Sequence, residues 1–181
     1  MRETTAMEDQ APRTHRILDP KFRRNYLRYI AQCIAATIFI FVVLVVLDVL
    51  TQTVLIASLG ATAFISFTMP HIESSKPRYL RGGYAFGILV GVVVSVLVGW
   101  LQIEHGIRME RLIVVSGAAI ATGLAMFLMV VTDTEHPPAA AVALGFVLNS
   151  WDLRAIVVVL IGVTCISMLK ETYKHRMMNL L

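Results

Sequence analysis

The stretch Thr132-Asp133-Thr134-Glu135-His136-Pro137-Pro138 runs directly into Ala139-Ala140-Ala141-Val142-Ala143-Leu144-Gly145, so chemically capable side chains meet a helix start. Proline suits the first helical position, where its missing N–H is no loss and its φ is already helical. Pro137-Pro138 therefore predicts the opening of a short Ala-rich helix with His136 at its mouth. A helix mouth set within a membrane offers unpaired N–H groups and the positive end of the dipole to an anion, and an imidazole beside it adds a switchable charge. His136, Pro137 and Pro138 are thus candidate binding residues for a small inorganic anion. The alternative is that His136 only caps a helix at the lipid–water boundary. Asp133 and Glu135 read as interfacial or structural groups that could also relay protons, as acidic groups close to membrane pathways do.

A second constellation, Met69-Pro70-His71-Ile72-Glu73-Ser74-Ser75-Lys76-Pro77-Arg78, forms a polar loop. Lys76 and Arg78 are candidates for gathering anions at a channel mouth, since positive charge raises the local anion concentration; the plainer reading is that they set topology. Ser58, Gly60 and Thr62 lie early in the apolar run Val54–Met69. Their hydroxyls could serve a bound oxyanion, or the small residues could simply permit close helix packing. Gly83, Gly87, Gly91, Ser95 and Gly99 recur every four residues and predict a packing seam, either within the chain or between protomers. The methionines, Met126 and Met129 among them, read as packing fillers.

The elements that must position these groups are membrane spans. Of 181 residues, 57% are hydrophobic and 15% charged, well below the roughly quarter charged of a soluble domain. Ile30–Leu47, Gly83–Leu101, Leu112–Val131 and Ala155–Leu169 contain no Asp, Glu, Lys or Arg. Three of them approach or reach the roughly 18–20 residues that cross a bilayer. Val54–Met69 and Ala139–Leu148 are short for a crossing and predict short, broken or re-entrant helices. The expected fold is an all-α membrane protein of about six hydrophobic segments. A cytoplasmic N-tail is expected over 1–24, a transmembrane domain over 25–170 and a cytoplasmic C-tail over 171–181. The apolar-poor residues 1–19 are expected to be disordered, and no cleavable signal pattern precedes the first span. Cys33 and Cys165 fall inside spans and carry no redox message.

Lys and Arg number seven before Ile30, three in 70–82, two in 102–111, none in 132–138, one in 149–154 and three after Leu169. The positive-inside rule then places both termini and the 70–82 loop in the cytoplasm, which favours six crossings over four. The formal charge of +4 is explained by topology, and no nucleic-acid-binding pattern accompanies it. A shift of 85 positions aligns Thr37 with Thr122, Val45-Val46 with Val130-Val131, Asp48 with Asp133 and Leu59-Gly60 with Leu144-Gly145. Three segments per copy, over 30–101 and 112–169, imply a 3+3 inverted repeat if the matches are more than coincidence, as in transporters whose broken helices meet at a central site.

Taken together, Ser58-Leu59-Gly60-Ala61-Thr62-Ala63, Lys76-Pro77-Arg78 leading to Gly82-Gly83, and Thr132 through Ala141 resemble the HPP family of small integral membrane proteins, named for the motif standing here as His136-Pro137-Pro138. The resemblance implies several spans, and members of its plastid and cyanobacterial branch look like nitrite transporters. Nitrite is therefore the anion it points to. Where the family often has a histidine after the paired glycines, this chain has Tyr84. The expected function is a transporter or channel for a small inorganic anion in a bacterial inner (plasma) membrane, without enzymatic activity or cofactor and with room for homo-oligomers. No phosphate-binding loop suggests an ATPase, so transport would be passive or driven by an ion gradient. Two other classes stay open: a membrane-embedded enzyme with His136, Asp133, Glu135 and His71 as metal ligands, and a structural or regulatory membrane subunit.

Overall fold

The structure, a computed structural model, describes residues 20–46, 53–102, 107–149 and 151–180. All six hydrophobic segments are helices: α1 Pro20–Val46, α2 Thr53–Thr68, α3 Pro77–Gln102, α4 Ile107–Val131, α5 Pro137–Leu148 and α6 Leu153–Tyr173. A 3-10 turn, Glu73–Ser75, lies between α2 and α3. Prolines open three of the six, at Pro20, Pro77 and Pro137, where the absent N–H and fixed φ suit the first turn. Asp152 caps α6 by accepting from Ala155 N at 2.6 Å. α1, α3, α4 and α6 carry apolar windows long enough to span a membrane. The expected disordered tail 1–19, and Asp48 of the repeat alignment, lie outside the described residues.

The two short helices occupy the middle. α5 packs against α2, α3 and α4, and its polar-free sequence gives it no face suited to water. Half of α2 is buried between α1, α5 and α6. The long helices surround this pair and turn Phe41, Val45, Leu97, Trp100, Phe127 and Ile161 outward. So many exposed large apolar side chains would be a liability in water; against acyl chains they are in a matched solvent. α1 is the peripheral member, packed chiefly on α2.

Close helix approach is made possible by missing side chains. A Cβ on Gly87 would stand 2.3 Å from Ala139 O, and one on Gly91 would stand 2.9 Å from Ala143 Cα. The glycine ladder of α3 is therefore an internal seam for α5. Gly99, the last of the series, has nothing within 4 Å of its Cβ direction and lies beyond the seam. Packing pairs also correspond when α1-α2-α3 is exchanged with α4-α5-α6: α1 on α2 matches α4 on α5, and α3 on α5 matches α6 on α2. The exception is α3 on α4, whose counterpart α6 on α1 is far weaker.

The helices alternate in direction, and the 69–76 loop, the 132–136 loop and the C-terminal segment gather at one end. Arg78 on α3 reaches Thr132 O at 3.1 Å, and Leu180 N donates to Thr68 O at 2.7 Å. The C-terminal segment also ties down α1: Tyr29 OH donates to Leu180 O, and Gln32 Nε2 donates to Met178 O and Phe67 O. Among the described residues, Arg108, Arg111 and Arg154 are the Lys and Arg positions toward the opposite end.

Gly87→Ala should lower stability by about 1–3 kcal/mol or abolish assembly, because its methyl meets backbone rather than a side chain able to move. Gly99→Ala should be neutral or mildly stabilising. Thermal unfolding of both variants in detergent checks the contrast.

Candidate functional site

The polar loop is shaped to present carbonyl oxygens inward. Ser75 Oγ donates to Pro70 O at 3.2 Å and Lys76 N to Glu73 O at 2.8 Å, which closes the 3-10 turn. Two adjacent carbonyls then meet side chains from elsewhere: Ser74 O lies 2.9 Å from His136 Nδ1, and Ser75 O accepts from Lys170 Nζ at 2.9 Å. Lys170 is buried and also pairs with Glu171 at 3.2 Å. A buried ammonium needs such partners, and the loop is held in place by supplying one of them.

His136 is the N-cap residue of α5, yet its side chain caps nothing. The ring is turned toward α2 and α3 instead. Nε2 lies 2.8 Å from Thr62 Oγ1, which lies 2.8 Å from Tyr84 OH; that phenol lies 2.9 Å from Ser58 Oγ, and Ser58 Oγ donates to Pro138 O at 2.5 Å. All four side chains are buried, with His136 and Tyr84 at 0% exposure. The glycine before Tyr84 matters here, since a Cβ on Gly83 would come within 2.8 Å of His136 Cβ. Gly82 likewise makes room for Thr134, 2.6 Å from its Cβ direction. The chain from α4 to α5 consequently runs alongside the first turns of α3, so His136 sits about 9 Å past the Pro77 end.

Ser58, Thr62 and Ser66 are spaced by four residues and share one face of α2. Elsewhere in the spans, Thr37, Thr122 and Thr164 donate to a carbonyl one turn back. That is how a hydroxyl is normally satisfied in hydrocarbon. Ser58 and Thr62 instead reach across to other helices, and Ser66 Oγ and Ser167 Oγ are buried without a protein partner among the described residues. The helix bundle thus encloses a run of hydroxyls beginning at His136.

The predicted mouth of free amides is not present. Pro137 and Pro138 have no N–H, and Ala139 N donates to His136 O at 2.8 Å. The same prolines that open the helix remove its donors, so any anion at this end must be held by side chains, the dipole adding only a partial charge.

Of the candidates from sequence, Ser58, Thr62, His136 and Pro138 come together. Gly60 faces α1, with Ile40 Cδ1 3.3 Å from its Cβ direction. Lys76 pairs with Glu73 at 2.9 Å and Arg78 with Asp133 at 3.2 Å, all four exposed. Asp133 holds the αL conformation at φ 52 and accepts from Tyr79 OH at 3.0 Å, ending α4. Glu135 and Pro137 are exposed on the rim. His71 lies with the C-terminal segment, 3.3 Å from Met177 O. The ligands of the metal-enzyme alternative therefore do not converge, and among the described residues no group of three or more His, Cys, Asp or Glu is arranged to hold a metal ion. Sequence reasoning missed the place of Tyr84 and of Lys170. The available signal was a phenol inside a charge-free run, since a buried Tyr needs a partner for its hydroxyl.

Beside His136, a hollow of about 150 Å³ is bounded by Met126, Met129, Val130, Glu135, Pro137 and Ala140. Its walls are largely apolar, whereas the hydrogen-bonding groups lie on the α2–α3 side of the imidazole. Those groups, rather than the hollow, are where polar chemistry is concentrated.

Tyr84→Phe deletes the hydroxyl between Thr62 and Ser58 and should cost about 1–3 kcal/mol. Arg78→Ala, which breaks an exposed pair, should cost less than about 1 kcal/mol. Denaturation midpoints in detergent distinguish the two.

The description "HPP, transmembrane region" matches residues 21–177 of the chain. A transmembrane protein of Dictyostelium discoideum is 32% identical over 91 residues, which is 50% of this chain and 29% of that relative. The match thus spans under a third of the relative's length. No solved structure matches the chain. With its six apolar helices built around His136-Pro137-Pro138, the chain belongs to the HPP transmembrane family and is an integral membrane protein.

Proposed function

We propose that this protein carries a small inorganic anion across the membrane, with nitrite the guest favoured by the family resemblance. The observation that carries the reading is the buried cluster of Ser58, Thr62, Tyr84 and His136, extended along α2 by the unpartnered Ser66 hydroxyl. Hydroxyls facing one another at the centre of an apolar bundle add little that apolar residues could not, and they make sense where a polar guest must replace water. An oxyanion entering the cluster accepts from these donors by parting contacts that are now closed on themselves. Lys76 and Arg78, on the exposed rim, raise the anion concentration at that end.

The concentration of Lys and Arg at this end makes it the cytoplasmic one, with both termini inside. The membrane is the inner (plasma) membrane of a bacterium, and the protein works without chemical conversion of its guest. The correspondence of helix packing between the halves supports an inverted repeat, and with it a site reached alternately from either side. The exposed apolar faces of the long helices leave room for copies of the chain to pack together in the membrane.

The test is uptake into liposomes containing the purified protein, comparing nitrite with nitrate, formate and chloride. Wild type should take up nitrite selectively, and His136→Ala should lose about tenfold or more of that rate while remaining monodisperse, the loss expected when one strong donor is removed. Absence of uptake of all four anions by well-folded wild type overturns the reading in favour of a non-transporting subunit.

A further inference from the structure

The hydrogen bonds around His136 can be counted proton by proton. Five contacts link Ser74 O, His136 Nδ1, His136 Nε2, Thr62 Oγ1, Tyr84 OH, Ser58 Oγ and Pro138 O. Both ends of the chain are carbonyl oxygens, which only accept. Each contact therefore needs a proton from the groups between them: the imidazole and three hydroxyls. A neutral imidazole has one N–H and each hydroxyl one O–H, which makes four protons for five contacts. If Nδ1 carries the proton, one oxygen–oxygen or oxygen–nitrogen contact has no hydrogen. If Nε2 carries it, Nδ1 faces Ser74 O with two lone pairs opposed.

An imidazolium resolves the count. Nδ1–H donates to Ser74 O and Nε2–H to Thr62; Thr62 then donates to Tyr84, Tyr84 to Ser58 and Ser58 to Pro138 O. The ring donates in both directions, to Ser74 O from Nδ1 and toward Pro138 O from Nε2 through the three hydroxyls, and every contact is filled.

The positive charge, however, has no buried carboxylate to meet it among the described residues. Packed around the ring, α2 contributes Ser58 and Thr62, and α3 contributes Tyr84. Farther along α3, Tyr79 bonds Asp133, and Arg78 is paired with the same carboxylate. In the polar loop Glu73 is paired with Lys76, on α6 Lys170 is paired with Glu171, which also pairs with Lys174, and Glu135 is exposed on the rim. The buried cation nearest in the fold, Lys170, has the same sign. A lone imidazolium here is uncompensated, and burying an unpaired charge is heavily disfavoured.

We propose that a proton and the anion bind together: the proton fills the hydrogen-bond chain through His136 Nε2, and the anion balances the charge it brings. Neither half is favourable alone, so the two binding events are reciprocally coupled. The unit taken up is one anion with one proton, electrically neutral, and the driving force is the proton gradient. The anion's donor is the Ser66 hydroxyl, one turn from Thr62 on the same α2 face and buried without a protein partner among the described residues. The proposal rests on the anion reading above and goes beyond it by naming the coupled ion and its residue.

The experiment uses sodium nitrite and full-length protein in liposomes, with proton gradient and membrane potential set independently by buffers and by potassium with valinomycin. Protein-free liposomes give the background carried by nitrous acid. Coupled uptake should follow an inward proton gradient, reaching about tenfold accumulation for a gradient of about one pH unit. It should acidify the lumen and ignore the imposed potential. Uptake that follows the potential and is indifferent to the proton gradient overturns the coupling but keeps the anion carrier. No uptake above background overturns both. A second measurement needs no functional variant: ¹⁵N spectra of the histidines in wild-type protein, with His136 assigned by its loss in His136→Gln. Nitrite addition should convert His136 from neutral imidazole to imidazolium, and a ring that stays neutral at saturating nitrite sinks the proposal.

Discussion

Ala139 can stand where it does because residue 87 has no side chain, since a Cβ there would come within 2.3 Å of its carbonyl oxygen. The rest of the structure depends on this contact between the first turns of α5 and the glycine face of α3. Between helices in lipid there is little hydrophobic force, so association rests on close van der Waals packing, which glycine and alanine allow. The same seam sets the depth of α5. With Gly82 and Gly83 admitting Thr134 and His136 beside α3, the loop before α5 lies along the helix instead of over its end. The imidazole is thereby placed inside the bundle.

Once there, the ring has to be satisfied by whatever surrounds it. Its Nδ1 finds a carbonyl of the polar loop, and its Nε2 finds a hydroxyl of α2. The neighbouring carbonyl of that loop takes the buried Lys170 of α6. One short 3-10 turn thus links α5 and α6 through adjacent peptide units, while Arg78, Tyr79 and Asp133 join α3 to the end of α4. These polar contacts lie at the end of the bundle where most of the positive residues gather. Toward the other end the described packing includes Gly117 under Val98, where a Cβ would be 2.3 Å from Cγ2.

The proline pair shows how one sequence feature serves opposite ends. Pro137 and Pro138 start α5 where the sequence places it, and by lacking N–H groups they strip its mouth of the donors a helix start usually offers. The polar groups left beside the helix start belong to side chains. Ser58, Thr62 and Tyr84 supply them together with the His136 ring.

Hydropathy, proline positions and the distribution of Lys and Arg determined the six segments, their order, the start of α5 and the clustering of basic groups toward one end, because each is written locally along the chain. The motif residues His136, Pro138, Ser58 and Thr62 were visible as types in a pattern. Only the tertiary structure decided that Thr62 meets His136 across 74 positions and Tyr84 across 22, that Gly60 turns away to α1, and that the glycine ladder serves α5 of the same chain. The reason is that α5 is apolar on every side and α2 departs from this only in small hydroxyls, too weakly polar to mark a face. Their sequences lack the amphipathic stripe that tells a reader which face looks inward, and lipid rewards no face over another, so the choice fell to shape: where glycine leaves room, and which hydroxyl is then within reach.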